Sequence, residues 1–224
     1  LPKTTINEVC SPNSTILLIG PDLKEEYGTL YIRLRDAITN MGAKLIELTP
    51  IETGLSNIAT ISLRPRPGEI AKVVNSILTG EAPVEIGGVS KESIQACHEL
   101  IQNTQINVVF AHHSIAESTE PITQALTLLN EVPETKFLPL VKRANTIGAL
   151  LMGMAPGQLP GQISLHDPSK TGLTGWPNLP EHEGKMTDQI LESAANEEID
   201  VLFLLGADPL SAVSYTHLTL PTTE

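Results

Sequence analysis

The chain has 224 residues, 41% of them hydrophobic and 3% aromatic, and a formal charge of −12. That length serves one large α/β domain or two small ones and buries roughly 70% of the unfolded surface, while the few aromatics leave a core of Leu, Ile, Val and Ala, as in helix-flanked parallel sheets. The acidic balance, with no basic stripe interleaved with aromatics, argues against a nucleic-acid partner. Cys10 and Cys97 stand far apart with no CxxC, which argues against a disulfide framework, an iron–sulfur cluster or a zinc site and fits a reducing compartment. No apolar run approaches the ~20 residues that span a bilayer, and no charged-then-apolar leader opens the chain. A soluble or peripheral segment is expected, and the start at Leu1 reads as an internal piece of something larger.

Residues 1–14 hold Pro2, Pro12, Asn13 and Ser14 without periodicity and read as a lead-in loop. Ile16-Leu17-Leu18-Ile19, closed by Gly20-Pro21, is an unbroken apolar run of the kind buried on both faces of a parallel sheet. Asp22 can cap the following helix with Glu25 in a capping box, and Leu23, Tyr27, Leu30, Tyr31, Leu34, Ile38 and Met41 share a face until Gly42. Lys44 to Leu48 is the next strand, reached by a right-handed crossover that leaves the two parallel. A mixed-pattern strand is expected within 57–63. A turn at Arg64 to Gly68 precedes a helix carrying Ile70, Val73, Val74, Ile77 and Leu78 and stopped by Gly80, and Glu81 to Val89 is a loop. Ser90 can cap a helix through Asn103 that feeds a strand at Ile106 to Ala111. The unit repeats with a helix opened by Glu120-Pro121 and a strand at Lys136 to Leu140, which Pro139 makes an edge strand. Residues 162–185 are rich in Gly, Pro and polar side chains, with Trp176 as their anchor. A last helix, started by Thr187 or Asp188 and carrying Ile190, Leu191, Ala194 and Ala195, leads to a strand at Val201 to Leu205 and the loop Gly206 to Pro209.

These elements predict a doubly wound, mostly parallel α/β sheet with helices on both faces, whose ligands sit beyond the carboxyl ends of the strands. The dinucleotide fingerprint GxGxxG is missing after the first strand: Gly20 stands without the other glycines, and Glu25 and Glu26 in the first helical turn oppose a phosphate. Glu47 is therefore expected to be an exposed strand-end carboxylate rather than a ribose ligand. His112, His113 and Ser114 follow a strand with Glu117 close by, but no nucleophile elbow surrounds Ser114, so loop polarity accounts for them. His166-Asp167 and His182-Glu183 could serve as metal ligands, although no partners are defined. Lys142, Arg143 and Asn145 form a local basic excess that suits an anion site, a subunit contact or equally a solvated turn.

The same residues carry a family resemblance. Gly42-Ala43-Lys44, Pro50, Thr53 and Arg66-Pro67-Gly68 resemble the nucleotide-binding segment of the molybdopterin oxidoreductase superfamily. Phe137-Leu138-Pro139, Arg143-Ala144-Asn145, Gly148-Ala149, Met152-Gly153, Pro156-Gly157 and Leu159-Pro160-Gly161 are more discriminating, and they resemble the G-subunit family of NADH-quinone oxidoreductases (respiratory complex I). The likeness runs from Ile16 to Ser211.

The resemblance implies a mainly structural segment of a large subunit whose iron–sulfur clusters lie in a separate N-terminal part. It also implies contacts with other complex I peripheral-arm subunits on the cytoplasmic side of the bacterial inner membrane, with no membrane span of its own. The fragment itself is expected to bind no cofactor, and molybdopterin is not expected. In cofactor-binding relatives the second strand ends in Asp-Pro-Arg and an Ala-Asp pair and an Arg-Pro-Gly-Thr-Asp turn follow, whereas here Thr49-Pro50-Ile51, Ala59-Thr60 and Arg66-Pro67-Gly68-Glu69-Ile70 stand in those places. Gly20, Asp22, Pro50, Thr53, Gly206 and Asp208 would then line a vestigial pterin-type pocket. Two alternatives remain: a fragment of a formate dehydrogenase-type large subunit that holds the pterin, and a structural α/β domain without cofactor. The expected organisation is a lead-in loop (1–14), a Rossmann-like domain (15–161), a linker (162–186), the start of a second α/β unit (187–211) and a tail (212–224). That tail resembles translated adaptor sequence and is expected to be non-native.

Overall fold

The computed structural model describes residues 1–102, 104–111, 117–143, 145–167, 178–206 and 208. His112, His113, Ser114, Trp176, Ser211 and the tail 212–224 lie outside the described residues. The chain forms two compact units, Leu1–Val141 and Lys142–Glu224.

The first unit is built on β1 (Thr15–Ile19), whose five residues are all buried. It pairs in parallel with β2 (Lys44–Leu48) on one edge and β6 (Ile106–Phe110) on the other. β3 (Ile61–Leu63) and β7 (Lys136–Pro139) complete the sheet in the order β3-β2-β1-β6-β7. All four pairings are parallel, so the doubly wound α/β class read from the sequence is what the chain adopts. Pro139 lies on an edge strand, where its missing N–H breaks no ladder.

Alternation along the strands divides the core in two. Leu17 and Ile19 of β1 join Ile46, Leu48, Val108 and Phe137 under three helices: α4 (Ile70–Thr79), α5 (Lys91–Ile101) and α6 (Thr119–Asn130). Ile16 and Leu18 point the other way, with Leu45 and Val109, onto α3 (Gly28–Asn40) through Leu30, Leu34 and Ala37. The sequence pattern merges α3 with a preceding turn, α2 (Leu23–Glu26), into one helix; the chain breaks it at Tyr27, whose φ of −137° is non-helical and which precedes the helix-averse Gly28. Asp22 caps α2 through the Lys24 N–H at 2.9 Å rather than through a box with Glu25. Met41, expected inside, is 41% exposed, and Ala37 takes the buried place. Between α4 and α5, the expected loop contains a small antiparallel hairpin, β4 (Glu85–Ile86) with β5 (Val89–Ser90).

The opening residues are not a plain loop. Thr5 and Glu8 close a capping box on the short helix α1 (Ile6–Val9), which sets Val9 into the core at 0% exposure. Lys3 bridges in parallel to Phe137 and so covers part of the β7 edge. A box of two residues and one buried Val is too short to register as helical periodicity.

The second unit contains α7 (Thr146–Leu151), the hairpin β8 (Gln158–Leu159) with β9 (Ile163–Ser164), and α8 (Thr187–Ala195). Leu191 and Ser193 are the buried residues of α8. The strand expected at Val201 to Leu205 does not form: Phe203 is 84% and Leu205 86% exposed. Such a run is a stable strand only when flanked on its edges and covered on its faces, and no described residue pairs with it.

Phe137 is 1% exposed and meets Phe110 edge to face at 6.3 Å between ring centroids. Phe137→Ala is therefore expected to lower the unfolding free energy by ~3–5 kcal/mol in urea melts followed by circular dichroism. The Glu8 carboxyl accepts the Thr5 N–H at 2.9 Å, Thr4 Oγ1 at 3.0 Å and Lys136 Nζ at 3.3 Å, and is held down at about 2 from an ordinary 4.5. A folded value below the unfolded one makes its contribution fully present above 4.5 and lost as pH falls towards 2. Carboxyl carbon NMR should find Glu8 titrating near 2 in the native chain and higher in a Thr4→Val, Lys136→Met variant.

Candidate functional site

In a sheet of this order the topological switch point lies between β1 and β6, and the crevice beyond the carboxyl ends is where a ligand would sit. Of the loop after β6, residues 112–116 lie outside the described residues. Ala111 N–H donates to the Ile19 carbonyl at 3.1 Å, continuing the ladder past β6. A Cβ on Gly20 would lie 3.4 Å from the Ala111 nitrogen, an ordinary contact, so this strand end does not require glycine.

Glu47 organises the mouth beside β2. It faces the α3 side of the sheet with Leu45, and its side chain is 0% exposed, so the sequence reading of an exposed carboxylate is corrected. Four side chains donate to it. Thr53 Oγ1 reaches Oε1, while Ser56 Oγ, Ser62 Oγ and Arg64 Nη2 reach Oε2 at 2.8, 2.6 and 3.1 Å. Arg64 Nη2 also donates to Ser56 Oγ at 2.7 Å. Ser62 arrives through strand register, because β3 pairs it with Glu47; Thr53 and Ser56 arrive through a tight turn closed by Thr53 N–H on Ser56 Oγ at 2.8 Å. The buried charge is thus paired and multiply hydrogen-bonded, the condition under which such burial is tolerated. Nothing in this cage leaves a carboxylate oxygen directed at a ribose hydroxyl.

Two further carboxylates bridge neighbouring loops. Asp22, after β1, accepts the Gly54 N–H at 3.2 and 3.1 Å besides that of Lys24. Glu117, after β6 and 7% exposed, accepts the Gly68 N–H at 3.1 and 2.9 Å and the Ser118 N–H at 2.9 Å. Gly68 has a φ of +85°, so the turn before α4 requires glycine there. Of the expected pocket residues, Gly20, Asp22, Pro50 and Thr53 therefore belong to one set of strand-end loops. Sequence reasoning misses Glu117, Ser56, Ser62 and Arg64 as a set; the signal is a polar residue near the end of successive strands, which no spacing rule connects.

Thr49, at the end of β2, is 2% exposed and its hydroxyl has no hydrogen-bond partner among the described residues. One cavity of about 790 Å³ is lined by Lys72, Asn75, Gln124 and Thr127, and one of about 470 Å³, beside the end of β7, by Tyr27, Leu30, Pro139 and Leu140. Neither is lined by Asp22, Glu47 or Glu117. Cys97 is fully buried, which pushes its thiol up to about 12 and leaves it inert.

In the second unit Lys142, Arg143 and Asn145 are exposed where α7 begins, with Asn145 at the N-cap. Gly206, with φ +59°, and Asp208 are exposed as well. His166 Nε2 lies 2.5 Å from Glu183 Oε1, so two of the four candidate ligands meet in a hydrogen-bonded contact. Among the described residues no group of three His, Cys, Asp or Glu is placed to hold a metal ion.

The first unit is thus a doubly wound α/β domain in which the Gly54 and Gly68 amides are taken up by the chain's own Asp22 and Glu117, and Arg64 by Glu47. Comparison with known proteins places it among distant relatives of oxidoreductase subunits. The G subunit of the NADH-quinone oxidoreductase of Streptomyces coelicolor is 26% identical over 198 residues, covering 86% of this chain and 22% of the relative. The G 2 subunit of the NADH-quinone oxidoreductase of Rhizobium meliloti is 26% identical over 228 residues, 89% of this chain and 26% of the relative. The alpha subunit of the NADPH-Fe(3+) oxidoreductase of Geobacter sulfurreducens is 23% identical over 249 residues, 94% of this chain and 29% of the relative. The chain therefore spans about a quarter of the length of the curated relatives it matches. No protein-family model matches it. No helix among the described residues is long and apolar enough to cross a membrane.

Glu47→Ala leaves three hydroxyls and a guanidinium without their acceptor and is expected to cost ~3–5 kcal/mol of unfolding free energy. Arg64→Met should cost less, because the carboxylate keeps its three hydroxyl donors. Chemical denaturation of both variants checks the order; equal losses would mean that the ion pair, not the hydroxyl cage, carries the stabilisation.

Proposed function

We propose that this chain is a piece of the molybdopterin oxidoreductase-like domain of the G subunit of an NADH-quinone oxidoreductase, and that it serves as scaffold within a multi-subunit electron-transfer assembly. The reading is supported by the identity of its relatives and by the self-satisfied loops at the carboxyl ends of the strands. It puts the iron–sulfur clusters in another part of the parent and the chain in a peripheral arm on the cytoplasmic side of the membrane, against other subunits. Lys142, Arg143 and Asn145, exposed at the start of α7, are the residues it assigns to a subunit contact or anion site.

The superfamily resemblance brings a pterin nucleotide with it, and the residues present do not fit that group. A nucleotide diphosphate needs backbone N–H donors and a free acid or arginine beside it. The Gly54 and Gly68 N–H groups are directed at Asp22 and Glu117, and Glu47 and Arg64 are directed at each other. Losing several such contacts, each worth about 0.5–1.5 kcal/mol net, weakens binding by orders of magnitude. No electron-transfer or hydride step is assigned to this segment. The Geobacter relative supports a second reading, in which the same scaffold serves an NADPH-dependent assembly with a different electron acceptor.

The complete parent subunit, purified from its own organism, is expected to contain neither molybdenum nor pterin by elemental analysis and pterin fluorescence, and the fragment alone is expected not to oxidise NADH. Stoichiometric molybdenum and pterin would overturn the reading in favour of a formate dehydrogenase-type subunit.

A further inference from the structure

The misfit at the strand ends has a specific chemical form. Two carboxylates, Asp22 and Glu117, each leave the loop after one strand and engage the backbone N–H of a glycine in the loop after another. Asp22 places both oxygens within 3.2 Å of Gly54 N, and Glu117 places both within 3.1 Å of Gly68 N. Glycine amides in turns are typical donors to phosphate oxygens, because no side chain keeps the anion away. In each case an anion is present at the amide, and it is one the chain supplies itself. Glu117 also takes the N–H of Ser118 at the start of α6, so one buried carboxylate ties that start to the turn before α4.

We propose that Asp22 and Glu117 are built-in anions, autoinhibitory latches that occupy the glycine amides at the carboxyl edge of the sheet and so close the domain against phosphate-bearing ligands. Each latch ties two loops together with a charge-assisted bond of the kind a bound phosphate would otherwise supply. They also explain why acids are tolerated so near the α2 and α6 starts, where they offset the positive helix ends. The proposal rests on the scaffold reading but concerns the cause of closure rather than the identity of the parent. A parent found to carry pterin would defeat that reading, while the test below addresses the amides alone.

The test is a titration of the ¹⁵N-labelled chain with inorganic pyrophosphate at constant ionic strength, following the amide resonances of Gly54, Gly68 and Ser118 in the native chain, Glu117→Ala and Asp22→Ala. In the native chain no saturable shift is expected. Glu117→Ala should bind pyrophosphate at least about tenfold more tightly than the native chain, with shifts at Gly68 and Ser118 and not at Gly54. Asp22→Ala should show the reverse pattern, which keeps the test alive if one variant fails to fold. The proposal is overturned by folded variants without saturable shifts, by a native chain that binds equally well, or by loss of folding in both variants, which would make the carboxylates structural ties alone.

Discussion

Burial of β1 on both faces is the constraint from which the rest of the first unit follows. A strand of Thr-Ile-Leu-Leu-Ile with every residue buried must have a hydrogen-bonded neighbour on each edge and a helical layer on each face. The two neighbours come from parallel crossovers, so β2 and β6 end beside β1 at the same side of the sheet. Every loop that could carry chemistry then emerges together. That convergence is general to such sheets; what distinguishes this one is that acids within the loops meet donors within the loops.

The glycine and arginine positions that look like remnants of a nucleotide site are held by local pairing. Gly68 is needed for its turn and Arg64 for Glu47. Both residues have a local partner or conformational reason that involves no ligand. Pairing of the Gly54 and Gly68 amides within the chain supports the proposed scaffold role, since it does not depend on a cofactor being loaded. The relatives are oxidoreductase subunits about four times as long as this chain, which aligns with about a quarter of their length.

Much of the fold is legible in the sequence because the strands are short, apolar and bounded by Gly or Pro, and because Leu30 and Leu34, and likewise Val73 and Ile77, recur at helical spacing. The edge position of β7 is readable from Pro139 alone. The helix break at Tyr27 is not, since both pieces share one apolar stripe. Val201 to Leu205 shows the opposite failure: local pattern asks for a strand, yet pairing is non-local, and no described residue supplies it. Glu47 is misread because a lone acid at a strand end is usually solvated, and its burial depends on Thr53, Ser56, Ser62 and Arg64 converging from separate places in the chain.

The claim that the strand-end loops are closed from within is tested most directly by amide hydrogen exchange at Gly54 and Gly68 in the native chain. Amides in ligand-free surface loops exchange near the rate of unstructured peptide, whereas amides locked onto buried or half-buried carboxylates are slowed by about a hundredfold or more. The account predicts the slow regime for both glycines, with protection approaching that of β1. Exchange within about tenfold of the unstructured rate at both would contradict it.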